Sequence, residues 1–266
     1  LSLQGREFVA KTNQGAIRAK RVVVATGPFQ RPHIPSFASQ LDPDVTQVHT
    51  NRYRNPQDLP DGNGEILVVG GGNSGVQIAY ELSRKERVRL SVSVPSSYLP
   101  RRLLGRSLFW WYDLIRLFER TPDSRLGRKL KAKRDPLYGF ELKKAIAEGE
   151  VVVVPKAVRA EGRTVHFEDG SSSEVRAIVW GTGFRSDYNW IDIPGIRDAR
   201  GQMIHDRGIA SVPGLAFVGL PWQTTRGSAL IGWVHREAQA IVNFLSRPGD
   251  SFDPTVGHQV MSEIGG

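Results

Sequence analysis

Hydrophobic positions along the chain switch between two spacings. Glu7-Phe8-Val9-Ala10, Ile17-Arg18-Ala19 and Arg21-Val22-Val23-Val24-Ala25 read as strands, with a turn at Thr12-Asn13-Gln14-Gly15, a small meander feeding a buried strand. Thr26-Gly27-Pro28 ends the last of them, and Pro32, Pro35, Pro43 and Pro56 mark the stretch up to Pro60 as a linker with short elements. After Asp61-Gly62-Asn63-Gly64, the apolar run Glu65-Ile66-Leu67-Val68-Val69 has the character of a buried parallel strand. Glycines follow at once. Val76, Ala79 and Leu82 then recur at helical spacing through Arg84, and Val88-Arg89-Leu90-Ser91-Val92-Ser93 alternates as a second strand. Strand, glycine turn, helix and strand in that order predict an α/β unit with a parallel sheet.

Residues 94 to 150 read as helical or irregular, with an aromatic run Leu108-Phe109-Trp110-Trp111-Tyr112 and a helix around Phe140 to Glu148. Strands resume at Val151-Val152-Val153-Val154, Thr164-Val165-His166-Phe167 and Ala177-Ile178-Val179-Trp180, the last followed by Gly181-Thr182-Gly183. The final third predicts a buried strand at Leu215-Ala216-Phe217-Val218 and a helix from Ser228 to Ser246.

Composition narrows the classes. No apolar run approaches the roughly 20 residues of a membrane-spanning helix, so no integral membrane segment is expected. The absence of cysteine excludes disulfides, thiolate metal sites and a redox-active Cys pair, and suits a cytoplasmic protein. The chain opens on Leu1 without the apolar core of a secretion signal, which reads as a cut start. A net charge of +9 suits phosphate ligands, nucleic acid or an acidic surface. Its one dense cluster, Arg125, Arg128, Lys129, Lys131, Lys133 and Arg134, reads as a solvated face, and no nucleic-acid partner is expected. The six histidines show no ligand spacing, so no metal is expected.

The turn Gly70-x-Gly72-x-x-Gly75 carries the chemistry. In a dinucleotide site the first glycine makes the tight turn, the second admits a pyrophosphate where a Cβ would stand, and the third packs helix on strand. Asn73 and Ser74 stand at the helix start, where unpaired N–H groups and a partial positive charge face the phosphates. A P-loop is a poorer match, because Val76-Gln77 stand where Lys-Ser/Thr is required. NAD sites place a carboxylate about 20 residues on, for the ribose hydroxyls. Here Ser91 and Ser93 occupy that place, with Arg101 and Arg102 behind them, which favours the 2′-phosphate of NADPH. The two arginines also fit an ordinary solvated loop.

Val48-His49-Thr50-Asn51-Arg52-Tyr53, the GGGNSG turn, Leu99-Pro100-Arg101-Arg102, and the paired strand ends Ala25-Thr26-Gly27 and Gly181-Thr182-Gly183 together resemble the flavin-containing monooxygenases, including their bacterial relatives and the plant indole-pyruvate monooxygenases. The resemblance implies a two-dinucleotide-binding flavoprotein fold: a Rossmann-like NADPH domain over 56–183, inserted between an FAD-domain remnant and linker over 1–55 and a return to the FAD domain over 184–266. It makes Thr26, Gly27, Thr182 and Gly183 crossings between the domains. It gives His49 and Tyr53 as members of the family fingerprint, whose preceding Phe and Gly are replaced by Pro43 and Val45. Gly219 and Trp222 resemble the closing segment beside the flavin, although Trp222 also suits a core position. The glycine turn that grips the FAD pyrophosphate in the family does not precede Arg6, so FAD binding is expected only where a missing front half is supplied. The implied activity is hydride transfer from NADPH to flavin and oxygen transfer to a small organic substrate, with no catalytic side chain assigned. A non-catalytic NADPH-binding module is the alternative.

Other chemistries lack their residues. Ser74 sits in no Gly-x-Ser-x-Gly elbow, and Tyr98 is followed four residues on by Arg102 rather than the Lys of a short-chain dehydrogenase. The aromatic run suits packing better than a substrate channel or a membrane surface, since Asp113 and Arg116 interrupt it.

Overall fold

A computed structural model describes residues 1–246, which divide into two compact units. The nucleotide unit comprises residues 31–110 and 134–185, and the second unit residues 1–30, 111–133 and the chain from Ser186 onward. These bounds depart from those expected. Residues 31–55 belong with the nucleotide unit because Thr46–His49 forms a parallel strand beside Ala177 to Trp180, and residues 111–133 group with the second unit.

Parallel strands of the nucleotide unit lie in the order Val151–Val154, Val88–Ser91, Glu65–Val69, the later half of Ser172–Trp180, and Thr46–His49. The helix Asn73–Ser83 makes the crossover from Glu65–Val69 to Val88–Ser91. Strand order therefore reverses between Glu65–Val69 and Ser172–Trp180, the place where open α/β sheets hold their ligands. The early half of Ser172–Trp180 runs on past this sheet and pairs antiparallel with Thr164–Phe167, which pairs with Ala157–Glu161. A hairpin thus replaces a helix in the last crossover.

Period-two alternation explains why these runs read as wholly apolar. Ile66, Val68, Ala177 and Val179 face one core with Val76, Ala79 and Leu82 of the helix and Leu142 and Ala145 of Glu141–Ala147. Leu67, Val69, Ile178 and Trp180 face the other core with Val165 and Phe167 of the hairpin. Both faces are dry, and each fully buried aliphatic side chain contributes about 1.5–3 kcal/mol. Arg176 places a charge within this sheet. It is buried, pairs with Glu86, and donates from Nε to Pro60 O at 2.9 Å, which fastens the Pro60–Gly64 loop to the end of the crossover helix.

In the second unit Glu7–Thr12 and Gly15–Ala19 pair as strands of a meander, as expected, and Ser2–Gln4 adds a third strand that was not. Val22–Val24 leaves it to run parallel to Leu215–Phe217, over a core of Phe8, Val24, Ile191, Ile196 and Phe217. The last helix spans Val234–Leu245, shorter at its start than the expected Ser228. Ser228 is instead turned inward, its hydroxyl accepting from the N–H groups of Thr224 and Thr225 at 3.0 and 2.9 Å, so it closes a loop and caps nothing. The basic cluster lies mainly on Arg125–Lys131, where Ser124 Oγ caps the helix by accepting from Gly127 N–H at 3.0 Å. Arg128, Lys129 and Lys131 fall in its last turn, where cations suit the negative end of the helix dipole. Among the described residues no helix is long and apolar enough to cross a membrane, and no cluster of three or more His, Asp or Glu side chains is arranged to hold a metal ion.

Candidate dinucleotide site

Three glycines in the turn meet three different surroundings. Gly70 has φ +122°, and a Cβ there would stand 2.1 Å from the carbonyl oxygen of Gly181. At Gly75 a Cβ would stand 2.1 Å from the carbonyl oxygen of Gly70, so the helix backs directly onto the strand end. Gly72 differs from both, with no atom within 4 Å of the position its Cβ would take. The backbone here packs glycine on glycine and leaves one face open.

Hydrogen bonds hold the turn in place. Gly70 N–H donates to Ser91 O at 2.9 Å, and Gly181 N–H donates to Val69 O at 2.8 Å. Gly72 is the N-cap residue without a side-chain cap bond, and the first helical bond runs from Val76 N–H to Gly72 O at 3.0 Å. The N–H groups ahead of Val76 therefore have no intrahelical acceptor, and Asn73 and Ser74 are exposed. Sequence reasoning missed Gly181 and Ser96. Gly181 packs against Gly75 and Gly70, and its signal was the glycine directly after a buried strand. Ser96 Oγ–H donates to Gly71 O at 3.1 Å and ties the following loop to the turn, a contact without a sequence signal.

At the ribose end the expected residues part company. Ser91 ends its strand two residues earlier than expected and is buried, its hydroxyl donating to Pro155 O and accepting from Ala157 N–H, both at 2.9 Å. It is committed to backbone. Ser93 is exposed. Arg101 pairs with Glu141 at 3.0 Å and donates to Tyr138 O at 3.2 Å, while Arg102 donates to Gly105 O at 3.0 Å. The guanidinium that reaches Ser93 is that of Arg134.

His49 and Tyr53 brace this unit from the linker side. His49 is buried, with Nε2 2.9 Å from Gly183 O; a carbonyl only accepts, so that nitrogen carries a proton. Its ring stands edge-on to Phe184 at 5.0 Å between centroids. Gly183 O also accepts from His33 N–H at 2.9 Å, and the Thr182 hydroxyl donates to His33 O. Burial first, then Arg185 and His49, hold the His33 imidazole below its ordinary value. Tyr53 packs on the core and its hydroxyl donates to Glu81 at 3.1 Å. Burial and then the Glu81 carboxylate push its phenol well above the usual range. His49, Asn51, Arg52 and Ile34 also line a cavity of about 390 Å³.

The second unit holds the remaining candidates. Gly27 has φ +65° with open space where a Cβ would lie, and Gln30 Nε2 donates to Gly27 O at 2.7 Å and Thr26 Oγ1 at 2.9 Å. Gly219 has φ +84°, its nearest neighbour being Val234 Cγ2 at 3.7 Å. Trp222 is half-buried at φ +59°, a left-handed conformation costing an L-residue about 1–2 kcal/mol. Gln223 holds that turn, donating to Phe217 O at 2.8 Å and accepting from Leu220 N–H at 3.2 Å. Glu237, buried, accepts from the hydroxyls of Ser228 at 2.6 Å and Thr224 at 2.8 Å. A cavity of about 900 Å³ opens beside it, lined by Phe118, Arg207, Thr225 and Trp233. Nothing in the sequence marked Gln223 or Glu237, whose partners come from separate turns.

Residues 1–98 match the family model of the pyridine nucleotide-disulphide oxidoreductases. This sequence contains no cysteine. Among solved structures it is similar to a flavin-containing monooxygenase from Stenotrophomonas maltophilia, with 19% identity and a TM-score of 0.66 over 92% of this chain and 69% of that one. A cyclohexanone monooxygenase from Rhodococcus sp. Phi1 bound to NADP+ gives 16% identity and a TM-score of 0.58 over 91% and 62%. At these identities the likeness establishes the fold, a mixed α/β flavin-monooxygenase fold with a dinucleotide-binding sheet. Among curated sequences, an indole-3-pyruvate monooxygenase of Oryza sativa is 27% identical over 69% of this chain and 47% of its own length. An oxidoreductase described as CzcO-like from Geobacillus kaustophilus is 47% identical over 91% of this chain and 70% of its own length. With nearly half its residues shared across that span, the chain belongs to the CzcO-like oxidoreductases.

Proposed function

We propose that the Gly70–Gly75 turn binds NADPH, and that the chain serves hydride transfer from this nucleotide to flavin in a monooxygenase-type oxidoreductase acting on a small organic molecule. One observation carries the reading: Gly70 and Gly75 are filled by neighbouring backbone, whereas Gly72 stands open beside exposed helix N–H groups. A pyrophosphate needs that arrangement, since it must approach backbone closely and gains from the positive end of the helix. The fold shared with an NADP+-bound monooxygenase supports the same ligand.

When bound, the nicotinamide supplies the hydride and the flavin the oxygen chemistry. The chain's own residues position. Asn73 and Ser74 offer backbone N–H groups to the phosphates, and Ser96 keeps the ribose loop against the turn. Gly181 seats the neighbouring strand end on Gly75, and the His49 bond to Gly183 holds the chain leaving that strand. Residues for a flavin fit in part: Gly27 leaves backbone open in the second unit, but the chain contains a single Gly-x-Gly-x-x-Gly turn, and no step is assigned to flavin-binding residues.

Equilibrium titration of the chain with NADPH tests the reading. Gly72→Val places a branched side chain in the open space and is expected to weaken binding by at least about tenfold, the equivalent of a clash of 1–3 kcal/mol, with the circular dichroism spectrum unchanged. Unchanged affinity would refute the site. A non-catalytic NADPH-binding module is separated by oxidation of NADPH in the presence of added FAD and dioxygen, where steady turnover supports the oxidoreductase.

A further inference from the structure

We infer that Arg134, with Ser93, reads the 2′-phosphate of the nucleotide and sets the preference for NADPH over NADH. This rests on the dinucleotide reading of the glycine turn and adds the residue that discriminates between its two possible ligands. In a site of this type the adenosine ribose lies past the end of the second strand, here Val88–Ser91. Gly70 N–H bonded to Ser91 O and Ser96 bonded to Gly71 O keep that strand end and the loop after it beside the turn.

Three arginines compete for the role, and one of them reaches Ser93. Arg101 pairs with Glu141 and donates to Tyr138 O, and Arg102 donates to Gly105 O. Arg134 lies 41 residues along the chain from Ser93, yet its Nη2 comes to 3.5 Å from Ser93 Oγ, the outer limit of a hydrogen bond. That is its one hydrogen bond among the described residues, and most of the five donors of its guanidinium fork remain for a ligand. Its placement is not accidental. Leu137–Tyr138 pairs in parallel with Tyr98–Leu99, with Leu137 N–H donating to Ser97 O at 2.9 Å, so residues just after Arg134 are laddered to the loop that carries Ser93. A planar fork beside a small hydroxyl suits a phosphate dianion, which the carboxylate of an NAD site would repel.

The experiment measures NADPH and NADH dissociation constants, by calorimetry, for the full chain and for Arg134→Ala, Arg134→Lys and Arg101→Ala. Loss of a charge-assisted fork should raise the NADPH constant about 10- to 100-fold in Arg134→Ala and leave NADH within about twofold. Arg134→Lys should recover part of the loss, and Arg101→Ala should leave the ratio of the two constants unchanged. Equal weakening of both nucleotides, or no change in either, overturns Arg134 while the glycine site stands. If the unaltered chain binds neither nucleotide, the inference falls together with the dinucleotide reading, and the Gly72→Val comparison loses its baseline as well.

Discussion

The two units each contain parallel strands that end in glycine, yet they hold their glycines by different means. In the nucleotide unit Glu65–Val69 and Ser172–Trp180, the strands followed by Gly70 and Gly181, have neighbours on both sides and cores on both faces, and Gly70, Gly75 and Gly181 press backbone on backbone. In the second unit Val22–Val24 and Leu215–Phe217 are three residues each, and the turn after Leu215–Phe217 is held by side chains, Gln223, Ser228 and Glu237. A backbone-packed turn tolerates no Cβ but needs no polar partners. A side-chain-held turn tolerates small steric changes but depends on every donor finding its acceptor.

That contrast can be broken at its strongest point first. Gly75→Ala forces a Cβ against the Gly70 carbonyl, and because the obstacle is backbone the loss should reach about 3 kcal/mol, read as a lower midpoint in urea. A loss below 1 kcal/mol would mean that the helix slides away easily and that the close packing is incidental. Glu237→Ala should follow, costing about 2 kcal/mol by leaving the buried Ser228 and Thr224 hydroxyls without their acceptor, while Glu237→Gln, which keeps an acceptor oxygen, should lose less. Equal losses would point to charge rather than hydrogen bonding.

Tyr53→Phe should have the smallest effect and shows it only in alkali. The folded phenol is raised above its unfolded value by burial and by Glu81, so the folded state holds the proton more firmly. Its contribution is complete below the unfolded value and is lost as pH rises through the range above about 10. Urea midpoints measured from neutral pH upward should therefore fall less steeply in Tyr53→Phe than in the unaltered chain. Parallel slopes would show that Glu81 does not hold the phenol in solution.

Much of the nucleotide unit was legible because its signals are local. Ile66-Leu67-Val68-Val69 is an unbroken apolar run, so the strand is evident before the two cores that its residues face in turn are known. The last helix begins at Val234 and not at the expected Ser228, because Ser228 turns inward and closes a loop. The candidate site was half legible. His49 and Tyr53 were marked by resemblance, but what they hold, Gly183 and Glu81, lies 134 and 28 residues away.

By itself the sequence determined the succession of strand, glycine turn, helix and strand, since that depends on side-chain periodicity and on glycine's freedom at positive φ. It also determined that the position after the second strand carries a hydroxyl and not a carboxylate, because Ser93 can be read directly. Only the tertiary structure decided that Ser91 is withdrawn into the backbone, that Gly181 closes the turn, and that Arg134 stands beside Ser93 in place of Arg101 or Arg102. The reason is that each of these depends on the register between segments far apart in the chain, and register is set by packing across the whole sheet rather than by any residue's neighbours.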